Sequence, residues 1–377
     1  MKDAKQRAHP SEAAPASPFE PSLSIAIAAF NEGKVIQKTL RSVLDTDYAG
    51  ELEVIVVDDG SKDDTAAQVE EFTATDARVR LVQQPNLGKA GALRRGVAEA
   101  RHEIVVFLDA DTMFQRTTLQ ALVQPLAHPL VGAVSGNARV GNLRTFIARC
   151  QSLEYICGFN LDRRAYTEWH CITVVPGAVS ALRRSAIEAA GGFSDDTLAE
   201  DTDLTLTLHR LGYRIEYAPE AVAWTEAPET YPGLAKQRFR WAFGTMQCLW
   251  KHRDLVFNPR YGALGWFSLP NIWFMQIGLV AMTPLVDLIL LFSLIFGHAL
   301  GIWYWFALVL GMDLFLATFA CWLDGERLHK ALLILPMRFV YRPLLAWVIW
   351  RSIFRAVKGA FVAWGKLERT ASVPSRT

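Results

Sequence analysis

The stretch EIVVFLDADT, residues 103–112, runs from a series of apolar residues directly into two aspartates that are separated by one alanine. A continuous apolar run of this kind, rich in Val and Ile, is typical of a strand buried on both faces, as in a parallel sheet. Ligands of open parallel sheets bind just beyond the carboxyl ends of the strands. Asp109 and Asp111 therefore lie where a ligand is expected. The alternative is that Asp111 or Thr112 only caps a following helix.

The composition of the 377-residue chain limits the classes of function. Hydrophobic residues make up 51% of it, enough for one large domain and a second unit. The formal net charge of +1 gives no support to nucleic-acid binding. The five cysteines form no CxxC pair, so we expect reduced thiols rather than disulfides or a zinc site. Residues 1–22 lack the apolar core of a signal peptide and predict a flexible tail.

The C-terminal part of the chain is strongly apolar. Between residues 262 and 323 the only charged side chains are Asp287 and Asp313. The segments 272–296 and 302–323 are each long enough to cross a bilayer, which takes roughly 20 apolar residues. Basic residues flank the two segments on the side of the N-terminal domain: Lys251, Arg253, Arg260, Arg327 and Lys330. The positive-inside rule then predicts a multi-pass membrane protein with its long N-terminal domain in the cytosol.

The segment that follows combines apolar residues with several prolines and arginines. We expect an interfacial piece near 331–342 and a third crossing near 344–362. An interfacial helix with snorkelling arginines is the alternative.

Strand-like runs alternate with helical patterns in the N-terminal part of the chain. We expect strands at 23–30, 52–59, 78–84 and 103–111, and helices near 34–44, 63–73 and 89–100. This alternation predicts an α/β domain with a parallel sheet and right-handed crossovers. The chain contains neither GxGxxG after the first strand nor GxxxxGK[ST], which argues against a dinucleotide-binding fold and a P-loop ATPase.

Polar side chains follow three of these predicted strands. They are Asn31-Glu32 after the first strand, Asp58-Asp59 after the second, and Asp109 with Asp111 after the fourth. Carboxylates alone repel a phosphate, but a divalent cation reverses this. Magnesium takes one or two protein carboxylates and completes its shell with phosphate oxygens and water. The Asp-x-Asp pair therefore predicts a metal-bound diphosphate, whereas DDGS taken alone favours a turn with an N-cap serine.

Three further motifs are individually weak. Lys89 in NLGKAGAL lies at the start of a predicted helix, where an anion is favoured, although a solvated lysine is the alternative. Glu200-Asp201 begin another helix, and acidic residues are common there for dipole reasons alone. QRFRW, residues 237–241, precedes the apolar segments and also fits an amphipathic juxtamembrane helix.

The order of these motifs carries more information than each motif does. AAFNE, VVDDGS, NLGKAGAL, LDADT, LAEDTD, QRFRW and then apolar spans together resemble the membrane-embedded family 2 glycosyltransferases, the processive polysaccharide synthases. The resemblance covers roughly residues 22–365. The runs VGAVSGNARV, VVPGAVSALRRSAI and APETYPGLAKQRFRW are most similar to bacterial poly-β-1,6-N-acetylglucosamine synthases of biofilm export systems.

The resemblance implies a domain organisation and a fold. It implies a GT-A nucleotide-sugar-binding domain at 23–235 with a mostly parallel sheet, and interfacial helices carrying QxxRW at 236–262. A membrane region at 263–365 would contain two or three transmembrane helices, followed by a tail at 366–377.

The resemblance also implies roles for individual residues. The nucleotide sugar would be bound by Asn31, Glu32, Asp58, Asp59, Lys89 and Asp109. Mg²⁺ or Mn²⁺ would be held by Asp111 together with Asp109. Asp201 of the Glu200-Asp201 pair would be the general base. The acceptor end and the leaving diphosphate would be held by Gln237, Arg240 and Trp241.

The expected activity is inverting transfer of a sugar, N-acetylglucosamine by resemblance, from a UDP-sugar to a growing β-linked polysaccharide at the bilayer. Two departures accompany it: Ala199 stands where the family has Thr, and residues 1–22 cannot supply the span that most members carry before the domain. We therefore expect a small partner subunit or self-association to complete a channel. The alternatives are transfer of a single sugar to a lipid, and an inactive nucleotide-sugar sensor.

Overall fold

The computed structural model describes residues 18–296 and 299–358. In this part of the chain the strands form a single sheet in the order β3-β2-β1-β4-β7-β6-β8-β5. The strands are β1 (Leu23–Ala29), β2 (Leu52–Asp58), β3 (Val79–Gln83), β4 (Ile104–Asp109), β5 (Met113–Phe114), β6 (Val131–Val140), β7 (Ser180–Arg183) and β8 (Arg214–Thr225). The first nine helices are α1 (Ile36–Leu44), α2 (Thr65–Thr73), α3 (Gly88–Glu99), α4 (Thr118–Val123), α5 (Phe146–Glu154), α6 (Leu161–Glu168), α7 (Arg184–Ala189), α8 (Glu200–Arg210) and α9 (Tyr231–Lys251).

The half of the sheet from β3 to β4 is parallel, as the sequence predicts. β1 pairs in parallel with β2 and with β4, and β2 pairs in parallel with β3. β7 then enters antiparallel between β4 and β6, and β6 pairs in parallel with β8. The α/β prediction is confirmed, and the sheet is mixed rather than wholly parallel.

The sheet separates two hydrophobic cores. Side chains of a strand alternate between its faces, and in β1 Ile25 and Ile27 enter one core while Ala26 enters the other. β2 is buried at every position. Burial on both faces explains why these strands are continuous apolar runs instead of alternating ones.

Helix α9, which carries QRFRW, packs closely against the segment that begins α8. A Cβ atom added to Gly244 would lie 2.9 Å from the Cβ of Ala199. Such a distance is shorter than van der Waals contact, so only glycine allows the two backbones to approach this closely. α9 is therefore fixed directly beside Glu200 and Asp201.

Apolar helices follow the α/β domain. They are α10 (Leu269–Asn271), α11 (Val280–Ile295), α12 (Ala299–Leu323) and α13 (Ile334–Val357), with π-helical turns at Leu264–Ser268 and Ile272–Leu279. Within the described residues, three stretches are long and apolar enough to cross a membrane: Leu264–Val286, Trp303–Leu323 and Leu328–Val357. The second agrees with the predicted span, and the first begins earlier in the chain than predicted.

The third apolar stretch differs from the predicted interfacial piece followed by a separate crossing. A separate interfacial piece at 331–342 is not observed, because a short 3-10 turn leads into one continuous helix, α13. Two of its arginines, Arg338 and Arg342, have partners on the neighbouring helix α12. Arg342 pairs with Asp313 at 2.8 Å, and the Arg338 guanidinium lies 4.5 Å from the centre of the Phe306 ring. Paired in this way, the charges are compatible with a spanning helix.

The described residues include a short segment before β1. The backbone N–H of Phe19 donates to Gln124 Oε1 at 3.1 Å, and Gln124 Nε2 donates to the Phe19 carbonyl at 2.9 Å. Only the part of the predicted tail from residue 18 onward is described, and the predicted tail at 366–377 lies outside the described residues.

Candidate active site

The carboxyl ends of β1, β2 and β4 meet at one edge of the sheet. Ala29 pairs with Asp58 and Ala28 pairs with Asp109, so the three strands end at the same level. A cleft with an empty volume of about 730 Å³ opens there, which we call the strand-end cleft. Its polar lining includes Glu32, Asp59, Asn86, Lys89, Asp109, Asp111 and Arg240. The sequence-based prediction that strand-end acids converge is confirmed for Asp59, Asp109 and Asp111.

Asp59 is buried and organises the loop that leads into α3. Its Oδ1 accepts hydrogen bonds from Gln84 Nε2 and from the Leu87 N–H, both at 2.8 Å, and its Oδ2 accepts from the Gly88 N–H at 2.9 Å. Gly88 has φ +78°, a conformation that glycine adopts without strain. Asp59 thus sets the position of the neighbouring Lys89.

Two predicted binding residues take other positions. Asp58 Oδ1 accepts from the Ser61 N–H at 3.0 Å and closes the turn after β2, and Asp58 does not line the strand-end cleft. Asn31 Oδ1 accepts from the Lys62 N–H at 2.7 Å, which joins the loops after β1 and β2. Both side chains shape the loops at the edge of the cleft, whereas Glu32, next to Asn31, lines it.

Lys89 lies between two carboxylates. Its Nζ is 2.7 Å from Asp109 Oδ1 and 3.7 Å from Glu200 Oε1. Burial opposes the charge, but the Asp109 and Glu200 carboxylates raise the pKa of Lys89 above its ordinary value. Lys89 is therefore a fixed cation that links the strand-end cleft to α8.

Glu200 and Asp201 occupy the first turn of α8. Both line a second, smaller cavity next to the strand-end cleft, with an empty volume of about 320 Å³. Burial raises the pKa of both carboxyl groups above the ordinary range, and Lys89 partly offsets this effect. Asp201 Oδ1 also accepts a hydrogen bond from the Thr202 N–H at 2.7 Å. A carboxylate of raised pKa accepts a proton more readily than an exposed one.

The QxxRW residues point in different directions from α9. Arg240 lines the strand-end cleft. Trp241 lies in an aromatic cluster with Phe159, whose ring centre is 5.9 Å away, and with Tyr155 at 6.4 Å. Gln237 is buried, and its Oε1 atom has no hydrogen-bond partner among the described residues. One helix thus contributes to two neighbouring sites.

The donor atoms of the strand-end cleft fit a divalent cation held by few protein ligands. Asp109 and Asp111 both line the cleft, and Asp111 is the more buried of the two. No group of three or more His, Cys, Asp or Glu side chains within 18–296 and 299–358 could form a complete metal cage. Mg²⁺ and Mn²⁺ do not need one when phosphate oxygens and water complete the shell. Asp109 Oδ1 also lies 2.7 Å from Lys89 Nζ, so its carboxylate would be shared between the lysine and a cation.

Gly177 belongs to this site and is missing from the sequence-based prediction. A Cβ atom at Gly177 would lie 3.0 Å from Lys89 Nζ and 3.6 Å from Asp109 Oδ1. Glycine therefore leaves room for the ion pair. The only signal in the sequence is the Pro-Gly pair inside the apolar run VVPGAV.

Comparison with known proteins agrees with this arrangement. The family model described as "Glycosyltransferase like family 2" matches residues 21–244. Poly-beta-1,6-N-acetyl-D-glucosamine synthase of Staphylococcus epidermidis is 34% identical over 228 residues, which are 60% of this chain and 55% of that protein. The Staphylococcus aureus (strain COL) protein of the same name is 33% identical over the same lengths. The matched region is thus little more than half the length of these curated relatives.

A solved structure shares the fold. The mannosyltransferase PcManGT from Pyrobaculum calidifontis, in complex with GDP-Man and Mn²⁺, superimposes with a TM-score of 0.63 over 88% of this chain and 91% of that chain, at 23% identity. The predicted GT-A fold is thereby confirmed. The family model covers more than half of the length of this chain, so the chain belongs to the family 2 glycosyltransferases.

Proposed function

We propose that this chain transfers N-acetylglucosamine from UDP-N-acetylglucosamine to the end of a growing β-linked polysaccharide, processively and coupled to export across a bacterial inner membrane. The observation that best supports the proposal is that the QxxRW residues of α9 reach two different places. Arg240 reaches the strand-end cleft, while Trp241 lies in an aromatic cluster on the side of the apolar helices. One rigid helix can thus hold a charged donor and a sugar chain side by side.

The donor would lie in the strand-end cleft. Glu32 and Asp59 would face the nucleoside, and Asp109 would accept a hydrogen bond from a ribose hydroxyl. Asp111, with Asp109, would hold Mg²⁺ or Mn²⁺, which when bound supplies positive charge to the leaving diphosphate. Arg240 adds a planar guanidinium suited to phosphate oxygens.

Asp201 would act as the general base. The acceptor hydroxyl oxygen forms a bond to C1 of the sugar while the bond from C1 to the diphosphate oxygen breaks. The hydroxyl proton passes to Asp201, and UDP leaves with the bonding electron pair. A single displacement inverts the configuration at C1, so an α-linked donor gives a β-linked product. Lys89, between Asp109 and Glu200, would stabilise the ionised carboxylates before transfer.

The choice of sugar and metal is supported by the relatives. The matched curated proteins are named as poly-β-1,6-N-acetyl-D-glucosamine synthases, and the structural neighbour binds GDP-Man with Mn²⁺. The three apolar stretches support a membrane site for the acceptor. We further propose that the catalytic domain faces the cytosol, and that a small partner subunit or self-association completes the export channel.

The test is product analysis with the full chain in native membranes. Labelled UDP-N-acetylglucosamine, UDP-glucose and UDP-galactose are supplied separately with Mg²⁺, and the products are sized. We expect a polymer from UDP-N-acetylglucosamine alone. A lipid carrying one sugar would contradict processive synthesis, and UDP binding without any transfer would indicate a nucleotide-sugar sensor.

A further inference from the structure

A polar triad of two buried residues and the partly exposed Glu154 lies next to Trp241 and has no role in the mechanism above. Arg238 Nη2 is 2.6 Å from Glu154 Oε2, and the Tyr341 hydroxyl donates to the same Oε2 atom at 2.5 Å. Arg238 Nη2 also lies 3.3 Å from the Tyr341 hydroxyl oxygen. These three residues, which we call the Arg238 triad, come from α9, from the end of α5 and from α13.

Arg238 also connects the triad to the Trp241 ring. The Arg238 guanidinium lies 4.3 Å from the centre of the Trp241 ring, within cation–π distance. Residues three apart on a helix are neighbours on its surface, so this contact follows from their spacing on α9. Arg238 thereby covers part of the indole and restricts the orientations that the ring can adopt.

Burial makes the triad stiff. The Arg238 side chain is 7% exposed and Tyr341 is 2% exposed. A buried guanidinium is stable only when it is paired and hydrogen-bonded. Glu154 supplies the charge, and the Tyr341 hydroxyl fixes the position of the Glu154 carboxylate. Glu154 also precedes the π-helical turn Tyr155–Asn160, which carries Tyr155 and Phe159 to Trp241. Such turns are frequent at functional sites.

We propose that Tyr341, Glu154 and Arg238 are positioning residues that hold Trp241 in the orientation required to stack on the acceptor sugar. The third apolar helix thereby contributes to acceptor binding without touching the acceptor. This inference rests on the proposed function for the use of Trp241 as a sugar platform. The arrangement of the ring itself can be tested without any substrate.

The first measurement observes Trp241 directly. The full chain is labelled with 5-fluorotryptophan in lipid nanodiscs, and the Trp241 fluorine resonance is assigned by its loss in Trp241→Phe. Tyr341→Phe is expected to shift or broaden this resonance, and Glu154→Gln is expected to do so more strongly. Ser352→Ala is the matched control, since it removes another buried hydroxyl of α13, which donates to the Val348 carbonyl. It should leave the Trp241 resonance unchanged.

The second measurement distinguishes an effect on acceptor binding from an effect on donor binding. We expect Tyr341→Phe to raise the KM for an added N-acetylglucosamine oligosaccharide about threefold to tenfold, the factor associated with loss of one hydrogen bond. The KM for UDP-N-acetylglucosamine should stay unchanged. A purely structural role would move both constants together and would overturn the proposal, as would an unchanged Trp241 resonance in Tyr341→Phe. A wild-type protein that makes no polymer would refute the proposed function alone, because the fluorine spectrum needs no substrate.

Discussion

The strand-end cleft and the aromatic cluster around Trp241 are built by different means, although α9 contributes to both. The cleft consists of charged groups at the ends of parallel strands, and backbone pairing of β1, β2 and β4 fixes their level. The cluster consists of rings from α9 and the π-helical turn, and contacts between distant segments fix their orientation. The difference teaches that the cleft proposed for the donor is set by the sheet, whereas the cluster proposed for the acceptor depends on how helices pack.

The largest expected effect comes from removing Asp201, the proposed general base. Asp201→Asn keeps the size of the side chain and removes its ability to accept a proton, so we expect transfer to fall by about 10²- to 10⁴-fold. UDP affinity, measured by calorimetry, should be retained. Asp195→Asn is the control, because Asp195 is an exposed partner of Arg94 on the surface. Polymerisation by Asp201→Asn at the normal rate would remove Asp201 from this role.

The next prediction separates the two regions along α9. Arg240→Ala removes a cation from the strand-end cleft and should lower kcat by about 10²- to 10³-fold, as for other preorganised charge-stabilising groups. Trp241→Ala should instead raise the acceptor KM by about tenfold, the value of one aromatic stacking contact. Initial rates at varied donor and acceptor concentrations distinguish the two effects. Equal effects of both variants on both substrates would show that Arg240 and Trp241 do not act on different substrates.

A smaller effect is expected from Asp58 and Asp59, the neighbouring aspartates at the end of β2. Asp59→Asn places an amide against the N–H groups of Leu87 or Gly88 and should cost about 1–3 kcal/mol of folding free energy. It should also weaken UDP binding, because the loop before Lys89 moves. In Asp58→Asn the side-chain oxygen can still accept from Ser61, so UDP affinity should be unchanged. Denaturation midpoints and UDP calorimetry check both, and equal losses in the two variants would contradict the placement of Asp58.

The smallest effect concerns pH. If Asp201 is the base, transfer requires its ionised form, so we expect the rate to fall as pH decreases through the raised pKa of the Glu200–Asp201 pair. Lys89 lowers the pKa of both groups. Lys89→Met should therefore move the acid limb of the kcat–pH profile to higher pH. The measurement is the pH at which kcat falls to half of its maximum in each protein. An acid limb that stays in place, or moves to lower pH, would show that Lys89 does not act on this pair.

Much of the strand-end cleft could be predicted from sequence because it depends on local features. β1, β2 and β4 are short apolar runs followed at once by polar residues, and a parallel sheet brings such ends together. The sequence did not separate Asp58 from Asp59, since the turn geometry that directs one carboxylate into the loop and the other toward α3 depends on backbone dihedrals.

The aromatic cluster around Trp241 could be predicted only in part. QRFRW identified Arg240 and Trp241, but Glu154 and Tyr341 are separated by 187 positions in sequence and meet only through tertiary packing. The antiparallel entry of β7 between β4 and β6 is also a long-range pairing without a local signal. The sequence did not reveal the partners of Arg342 and Arg338, because Asp313 and the Phe306 ring lie on another helix.

A divalent cation and the proposed base, Asp201, are expected to occupy separate positions in one site. Calorimetric titration of UDP, with and without Mn²⁺, tests this in wild type, Asp111→Asn and Asp201→Asn. We predict that Mn²⁺ increases UDP affinity in the wild type and in Asp201→Asn, and that this increase is lost in Asp111→Asn. An increase that persists in Asp111→Asn, or disappears in Asp201→Asn, would contradict the account.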